Sequence, residues 1–228
     1  SFNTTMFTDK YNRDYYFDIN QTINKNSNAL TLNHNFKSFS GMEEIYINNY
    51  TFGINDRNVN NMFIGYKNNV CGYNLGTMTE EKSFLGTVGT GALEFENSDT
   101  QYVGINCDKK GFKFSYDIGY TNINGAKNSI IKNGDATSNT WAIGWSNNNW
   151  NIEFGQPLAV IDGELNIDVA SSVNVNDTHN YSSYSVDIDP DHRHTVTKIG
   201  WQDSITNNVN INLNVEYNNN YANTDGDS

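Results

Sequence analysis

Val209-Asn210-Ile211-Asn212-Leu213-Asn214-Val215-Glu216-Tyr217 alternates apolar and polar side chains without a break. In an extended strand successive side chains point to opposite faces, so this stretch has one greasy face and one wet face. The same period of two recurs upstream. Phe112, Phe114, Tyr116, Ile118 and Tyr120 interleave with Lys113, Ser115, Asp117 and Gly119, and Leu165, Ile167 and Val169 interleave with Asn166 and Asp168. Trp141, Ile143 and Trp145 make one short apolar face, and Trp150, Ile152 and Phe154 make the next. No segment shows a convincing three-and-four apolar spacing, so the chain reads as β throughout.

The punctuation between these segments is that of hairpins. Asn147-Asn148-Asn149 separates two Trp-bearing strands, and Asn tolerates the left-handed backbone a tight turn needs. Asp162-Gly163 stands between two apolar runs and predicts a two-residue hairpin. Asn124-Gly125 and Asn133-Gly134 bracket a longer loop after a strand at 111–123. The expected fold is all-β: an antiparallel up-and-down sheet of about twelve strands, closed or nearly closed into a barrel because open edges on so large a sheet are hazardous. Residues 1–228 read as a single β-domain. The stretch 76–97 is the exception, a loop or short-helix insertion. Within it Gly86-Thr87-Val88-Gly89-Thr90-Gly91 has phosphate-loop spacing, but neither a preceding apolar parallel strand nor a following helix pattern accompanies it.

Composition narrows the function. Fourteen Lys and Arg stand against 26 Asp and Glu, a formal net charge of −12, with no basic stripe to attract a phosphate backbone. Nucleic acid is therefore not an expected partner. About forty residues are Asn, a bias that an A+T-rich genome produces on its own. Aromatic residues reach 13%, enough apolar bulk to offset ordering entropy. No run of about eighteen apolar residues exists to make a spanning helix. That test does not address spanning strands, whose mean hydropathy is low. The chain opens at Ser1 without a charged or apolar leader, so a secretory signal, if there is one, lies far upstream or has been removed. Cys71 and Cys107 are open to two readings, a disulfide or two buried thiols.

Candidate chemistry is sparse. His192 and His194 lie two apart, as a metal pair on an extended strand would, but Pro190 and the surrounding charge point to a solvated turn. Asp187, Asp189 and Asp191, and separately Asp225 and Asp227, are the calcium candidates through their oxygens, although neither group matches the twelve-residue helix-flanked loop. Asp14 and Asp18 beside Arg13 read as an intramolecular ion pair or simply as a wet strand face, and the second reading is preferred. No serine sits on a G-x-S-x-G elbow and no cysteine has an evident partner histidine, so no catalytic residue, cofactor or firm metal site is expected.

Three stretches carry a resemblance. Phe7-Thr8-Asp9-Lys10-Tyr11-Asn12-Arg13-Asp14-Tyr15-Tyr16-Phe17-Asp18-Ile19 is one, and Phe154-Gly155-Gln156-Pro157-Leu158-Ala159-Val160-Ile161-Asp162-Gly163-Glu164-Leu165 is the second. The third runs from Tyr184-Ser185-Val186-Asp187-Ile188 through His192-Arg193-His194 to Ile199-Gly200-Trp201. Together they resemble the C-terminal β-region of secreted bacterial subtilisin-like serine proteases with autotransporter-like architecture, with Gln156-Pro157-Leu158 the most specific part. Ala159 stands where that pattern has a basic residue. The resemblance implies a non-catalytic domain at the bacterial cell surface that anchors or exports an upstream protease domain, with the outer membrane as partner. A last alternating strand ending in an aromatic is missing beside Asp225-Gly226-Asp227-Ser228, which would leave a barrel edge for another chain. The alternative is a water-soluble extracellular fibre, matrix or adhesin subunit assembling with copies of itself by strand-edge pairing. The two readings differ in one geometric respect: a membrane barrel turns its apolar face outward, and a soluble β-domain turns it inward.

Overall fold

A computed structural model describes residues 4–8, 14–17, 43–47, 49–55, 59–173, 179–206 and 209–220. The strands are β1 Thr4–Thr8, β2 Asp14–Phe17, β3 Glu43–Ile47, β4 Tyr50–Asn55, β5 Val59–Lys67 and β6 Cys71–Glu81. They continue with β7 Ser83–Phe84, β8 Thr87–Val88, β9 Phe95–Lys109, β10 Phe112–Gly125 and β11 Ile131–Ser146. The last four are β12 Trp150–Val173, β13 His179–Asp187, β14 Thr195–Thr206 and β15 Val209–Asn219. Eleven of them form one antiparallel sheet in the order β15-β14-β12-β11-β10-β9-β6-β5-β4-β3, with β13 on β12 beside β14. β1 and β2 pair only with each other, as do β7 and β8. The fold is thus all-β and antiparallel with up-and-down connections, and among the described residues no ladder joins β3 to β15.

The connections are unequal at the two ends of the sheet. At one end 68–70, 110–111 and 147–149 are turns of two or three residues. Asn68 and Asn147 build two of them alike: each side-chain oxygen accepts the N–H groups two and three residues on. Lys110 and Gly111 both have positive φ, which makes the β9–β10 turn the mirror-image type that matches strand twist. At the other end lie 82–94, 126–130 and the paired extension of β12 and β13.

The turns are also staggered. Register partners run in a row through Tyr50, Tyr66, Tyr73, Ile105, Tyr116, Trp141 and Gln156. That row meets β4 at its first residue but meets β12 six residues past Trp150. The adjacent row Gly155, Val196, Asn218 meets β15 nine residues past Val209. A drift of this size over the eight steps between these nine strands corresponds to a strand tilt of roughly 40°, as in a sheet that coils toward a barrel.

Two sequence expectations are corrected. Asp162-Gly163 is not a hairpin: β12 runs through it unbroken from Trp150 to Val173. Neither residue has positive φ, and the pair sits at a bulge where the β11 register slips between Thr137 and Ser138. Gly163 is there because a Cβ would lie 2.8 Å from the Asp135 carbonyl oxygen and 3.1 Å from Ala136 Cβ. The insertion expected over 76–97 shrinks to 82–94, since Gly76–Glu81 continues β6 and Phe95–Asn97 opens β9. Gly76 belongs in a strand because the Tyr102 ring lies across it, 2.4 Å from where a Cβ would stand. No α-helix forms in the insertion, only β7, β8 and a 3-10 turn at Gly91–Leu93.

Pro157 falls where β12 is irregular: the register with β11 skips between Asn139 and Trp141, and pairing with β14 ends at Gly155. Between β14 and β13 the edge of β12 therefore has no strand beside it, and Arg193 fills the gap. Its guanidinium donates to the carbonyl oxygens of Val160 and Ile161, the latter at 3.1 Å. Arg193→Ala is expected to speed local amide exchange over 158–163 about thirtyfold, the equivalent of about 2 kcal/mol for charge-assisted bonds, while exchange in β9 and β10 stays unchanged.

Candidate functional site: a polar interior inside an apolar belt

The alternation resolves into a defined inside and outside. On β10 the inner side carries Lys113, Asp117, Gly119 and Thr121, all buried, and the outer side carries Phe112, Phe114 and Tyr120, all exposed. On β11 Ser138, Thr140 and Ala142 are buried while Ile143 stands 53% exposed. β12 buries Glu153 and exposes Trp150, Ile152 and Phe154. β6 and β5 repeat the pattern: Met78, Glu80, Asn61 and Phe63 are inside, and Tyr73, Leu75, Met62 and Ile64 are outside. Among the described residues ten apolar side chains are buried against fifteen polar or charged ones, and twenty-four large apolar side chains are exposed. A water-soluble domain has the opposite balance.

The interior is filled by matching small and large residues across strands. Gly119, Tyr102, Gly76 and Phe63 are successive register partners, and the Tyr102 hydroxyl donates to Asn61 Oδ1 at 3.0 Å. Gly104 leaves room for Asp117 and Asn74 on either side, since a Cβ there would meet both carbonyl-type oxygens. Thr100 and Thr121 bond to each other at 2.9 Å.

One inner row is ionic. Asp108, Lys113, Gly144, Glu153, Lys198 and Glu216 are register partners in turn across β9, β10, β11, β12, β14 and β15. Charges alternate along it, with Gly144 the one position lacking a side chain. Lys198 Nζ lies 3.4 Å from Glu216 Oε2, and Asn218 Nδ2 donates to Glu216 Oε1 at 3.0 Å. Lys113, Glu153 and Lys198 are each over nine-tenths buried. Buried charge on this scale persists only when it is paired.

Near the long-loop end, loop 82–94 is bound to the mouth of the interior. Ser83 Oγ and the Gly86 N–H both donate to Glu80 Oε2, at 3.0 and 2.8 Å, and Ser98 Oγ donates to the Ser83 carbonyl at 2.7 Å. Phe84 meets Phe95 edge-on at 6.3 Å, against an apolar cluster formed by Phe95, Ile123, Ile131 and Ala136.

The sequence candidates are dispersed. Asp187 and Asp189 meet at the end of β13, where the Asp189 N–H donates to Asp187 Oδ1 at 3.1 Å. A hydrogen bond between the two carboxyls holds Asp187 below the usual carboxylate range and Asp189 above it. Arg193 lies 3.7 Å from Asp189, while Asp191 is exposed in the turn. Asp14 is in β2, whereas Asp18, Asp225 and Asp227 lie outside the described residues. His194 is buried with Nε2 3.0 Å from Asn218 Oδ1, and His192 is half-buried. Among the described residues no group of three or more His, Cys, Asp or Glu side chains is arranged to hold a metal ion. Cys71 and Cys107 are joined by a disulfide between register partners of β6 and β9 on the outer side. No protein-family model, no curated protein and no solved structure matches this chain.

Proposed function

We propose that this chain is a non-catalytic, membrane-embedded β-domain of the bacterial cell surface, whose apolar belt contacts lipid and whose packed polar interior makes it an anchor. The sorting of side chains carries this reading: aromatic and aliphatic residues on the outside, ionic and small polar residues on the inside. Short turns at one end and long loops at the other are a second feature of such barrels. The disulfide suits an oxidising compartment. Assembly of a soluble subunit through strand edges predicts the reverse sorting.

In lipid, the free edges of β3 and β15 would leave backbone donors and acceptors unmet, each at a cost of several kcal/mol. The ring therefore closes, and the β1–β2 ribbon is the spare pair of strands able to join the two edges. Up-and-down order would put the connection from β1 to β2 at the short-turn end and the connection from β2 to β3 at the long-loop end. Twelve spanning strands result, with β7, β8 and β13 outside the ring. The upstream protease domain that the sequence resemblance implies would be the cargo of this anchor.

All four tryptophans, Trp141, Trp145, Trp150 and Trp201, lie on the outer side, so intrinsic fluorescence reports the belt directly. Reconstituted in vesicles of lipids brominated on their acyl chains, the protein is expected to lose most of its tryptophan emission. Emission unchanged by bromine, from protein that stays in solution without detergent, would overturn the proposal.

A further inference from the structure

The sorting of side chains is not uniform along the strands. It reverses, and the place of reversal follows a line. On the outer side of β10, Phe112 to Tyr120 give way to Asn122 and Asn124, while on the inner side Thr121 gives way to Ile123. On β9, outer Ile105 and Val103 give way to Gln101 and Asp99, and Phe95 lies inside at the end of the strand. On β11, outer Trp141 gives way to Asn139, Thr137 and Asp135, and Ile131 is buried inside. On β6 the change falls between Leu75 and Thr77; on β14 it falls between Ile199 and Thr197. β12 is outwardly apolar through Phe154 and outwardly acidic at Asp162, Glu164 and Asp168, with Leu165 and Ile167 packed inward on the apolar cluster.

One half of the sheet is thus sorted as a lipid-facing barrel, and the other half, over β6, β9 to β12 and β14, turns polar side chains outward, although the β12–β13 hairpin also exposes Val169, Tyr181, Tyr184 and Val186. Resting on the membrane reading above, we infer that the polar boundary of the bilayer crosses the sheet along Leu75/Thr77, Val103/Gln101, Tyr120/Asn122, Trp141/Asn139 and Ile199/Thr197, and that everything toward the long loops stands in water. The partner of the lower half is a lipid surface. The upper half, with loop 82–94, the apolar cluster and the β12–β13 hairpin, is a soluble-type cap raised above it.

Two observations independent of composition support a planar boundary. From β10 through β11 and β12 to β14 the reversal drifts in the same sense as the short turns do. From β10 to β11 it moves down: Asn139 is already polar although its register partner Ile118 is below the line on β10. The belt between turn and reversal stays five to nine residues deep from β5 to β15, as expected where a slab cuts tilted strands. With 3.4 Å per residue and a tilt near 40° this is roughly 13–23 Å, against about 25 Å for the apolar band of outer-membrane barrels. On the three central strands charge follows the same line: no charged residue interrupts the outer positions of β10, and those of β9 and β11 stay uncharged from the turn-proximal apolar rows to Asp99 and Asp135, while Lys109 and Asp203 stand on the outer side toward the short turns. Asp99, Asp135, Glu164 and Asp187 all lie beyond it.

The test is a nitroxide scan of outer positions in the vesicle-reconstituted full chain, with one added cysteine at a time and the native disulfide kept. Labels at Phe114→Cys, Ile118→Cys and Tyr120→Cys are expected to be relaxed chiefly by oxygen, and labels at Asn122→Cys and Asn124→Cys chiefly by a water-soluble nickel chelate. On β11 the reversal is expected between Ile143→Cys and Asn139→Cys. Phe114, Tyr120, Asn122, Asn124 and Ile143 are exposed, and Ile118 and Asn139 are half-buried on the outer side, so no fully buried side chain is replaced. Oxygen dominance continuing through Asn124 would overturn the placement of the boundary while leaving the membrane reading standing. Nickel dominance at every position, Phe114 included, would overturn both.

Discussion

Ile143→Arg is expected to destabilise the protein by about 2–4 kcal/mol when folding is measured by urea titration in lipid vesicles, the cost of an Arg near the centre of the bilayer on a barrel's outer face. Ile143 sits mid-belt, between Phe114 and Phe154 in register, with Trp145 and Trp141 on either side along its own strand. It is 53% exposed, so the substitution creates no cavity and forces no repacking. That makes the sign informative. In a water-soluble domain a half-exposed Ile replaced by Arg falls within about 0.5 kcal/mol of neutral, and solubility improves. Asn122→Arg is the matched control: it is on the same outer face but beyond the reversal, and it is expected to stay within about 0.5 kcal/mol in the same vesicles. Equal costs at the two sites would remove the belt as a lipid contact; a large cost at Ile143 alone has no explanation in a soluble protein.

How much of this was legible beforehand depends on which property is asked about. The period of two in 209–217 and 112–120 is a local property of the chain, and both segments are strands as read. Which face lies inside is not local. Alternation is symmetric between a soluble sandwich and a lipid-facing barrel, and only the curl of the sheet breaks the symmetry. A signal did exist in the polar face itself. Gly119, Gly104 and Gly76 sit among Thr, Ser, Asn and Tyr there, and small residues next to large ones mark a surface that must fit neighbours rather than face water. The change of character along β10, from Tyr120 to Asn122 outside and from Thr121 to Ile123 inside, was also readable once the strand was known to be long. Asp162-Gly163 misled because a two-residue hairpin and a glycine bulge share the same letters; tertiary pairing with β11 decided between them. Lys110-Gly111 went unread as a turn because Lys is an unusual occupant of a positive-φ site. The ionic row could not be read at all, since its members lie between positions 108 and 216 and meet only through the register of five strand pairings, one of which, β12 with β14, skips a strand in the chain.

That row supplies the second large effect. Glu153 is 1% exposed and stands between Lys198, its direct register partner, and Lys113, which reaches the same row across side-chain-less Gly144. Glu153→Gln keeps the shape and removes the only negative charge between two buried ammonium groups. The loss is expected to be about 3–5 kcal/mol, the range for stripping one member from a buried ion pair, because the penalty is the stranded charge rather than the lost bond. Lys198→Met relieves part of it by withdrawing one stranded cation, although Glu216 then loses its 3.4 Å partner. A double-mutant cycle over Glu153→Gln and Lys198→Met is therefore expected to give a coupling energy of about 1–3 kcal/mol. The readout is again urea titration in vesicles, with outer-side tryptophan emission as the signal, since no tryptophan touches the row. A coupling near zero, with Glu153→Gln close to neutral, would mean that water reaches the row and screens its charges. The interior would then be an open passage instead of a packed ionic layer, and the anchoring role would give way to a conducting one. If the coupling appears, the same charges account for how a lumen lined with Lys, Asp and Glu can be closed: each cation is held between carboxylates, and glycine admits the long side chains that bridge the strands.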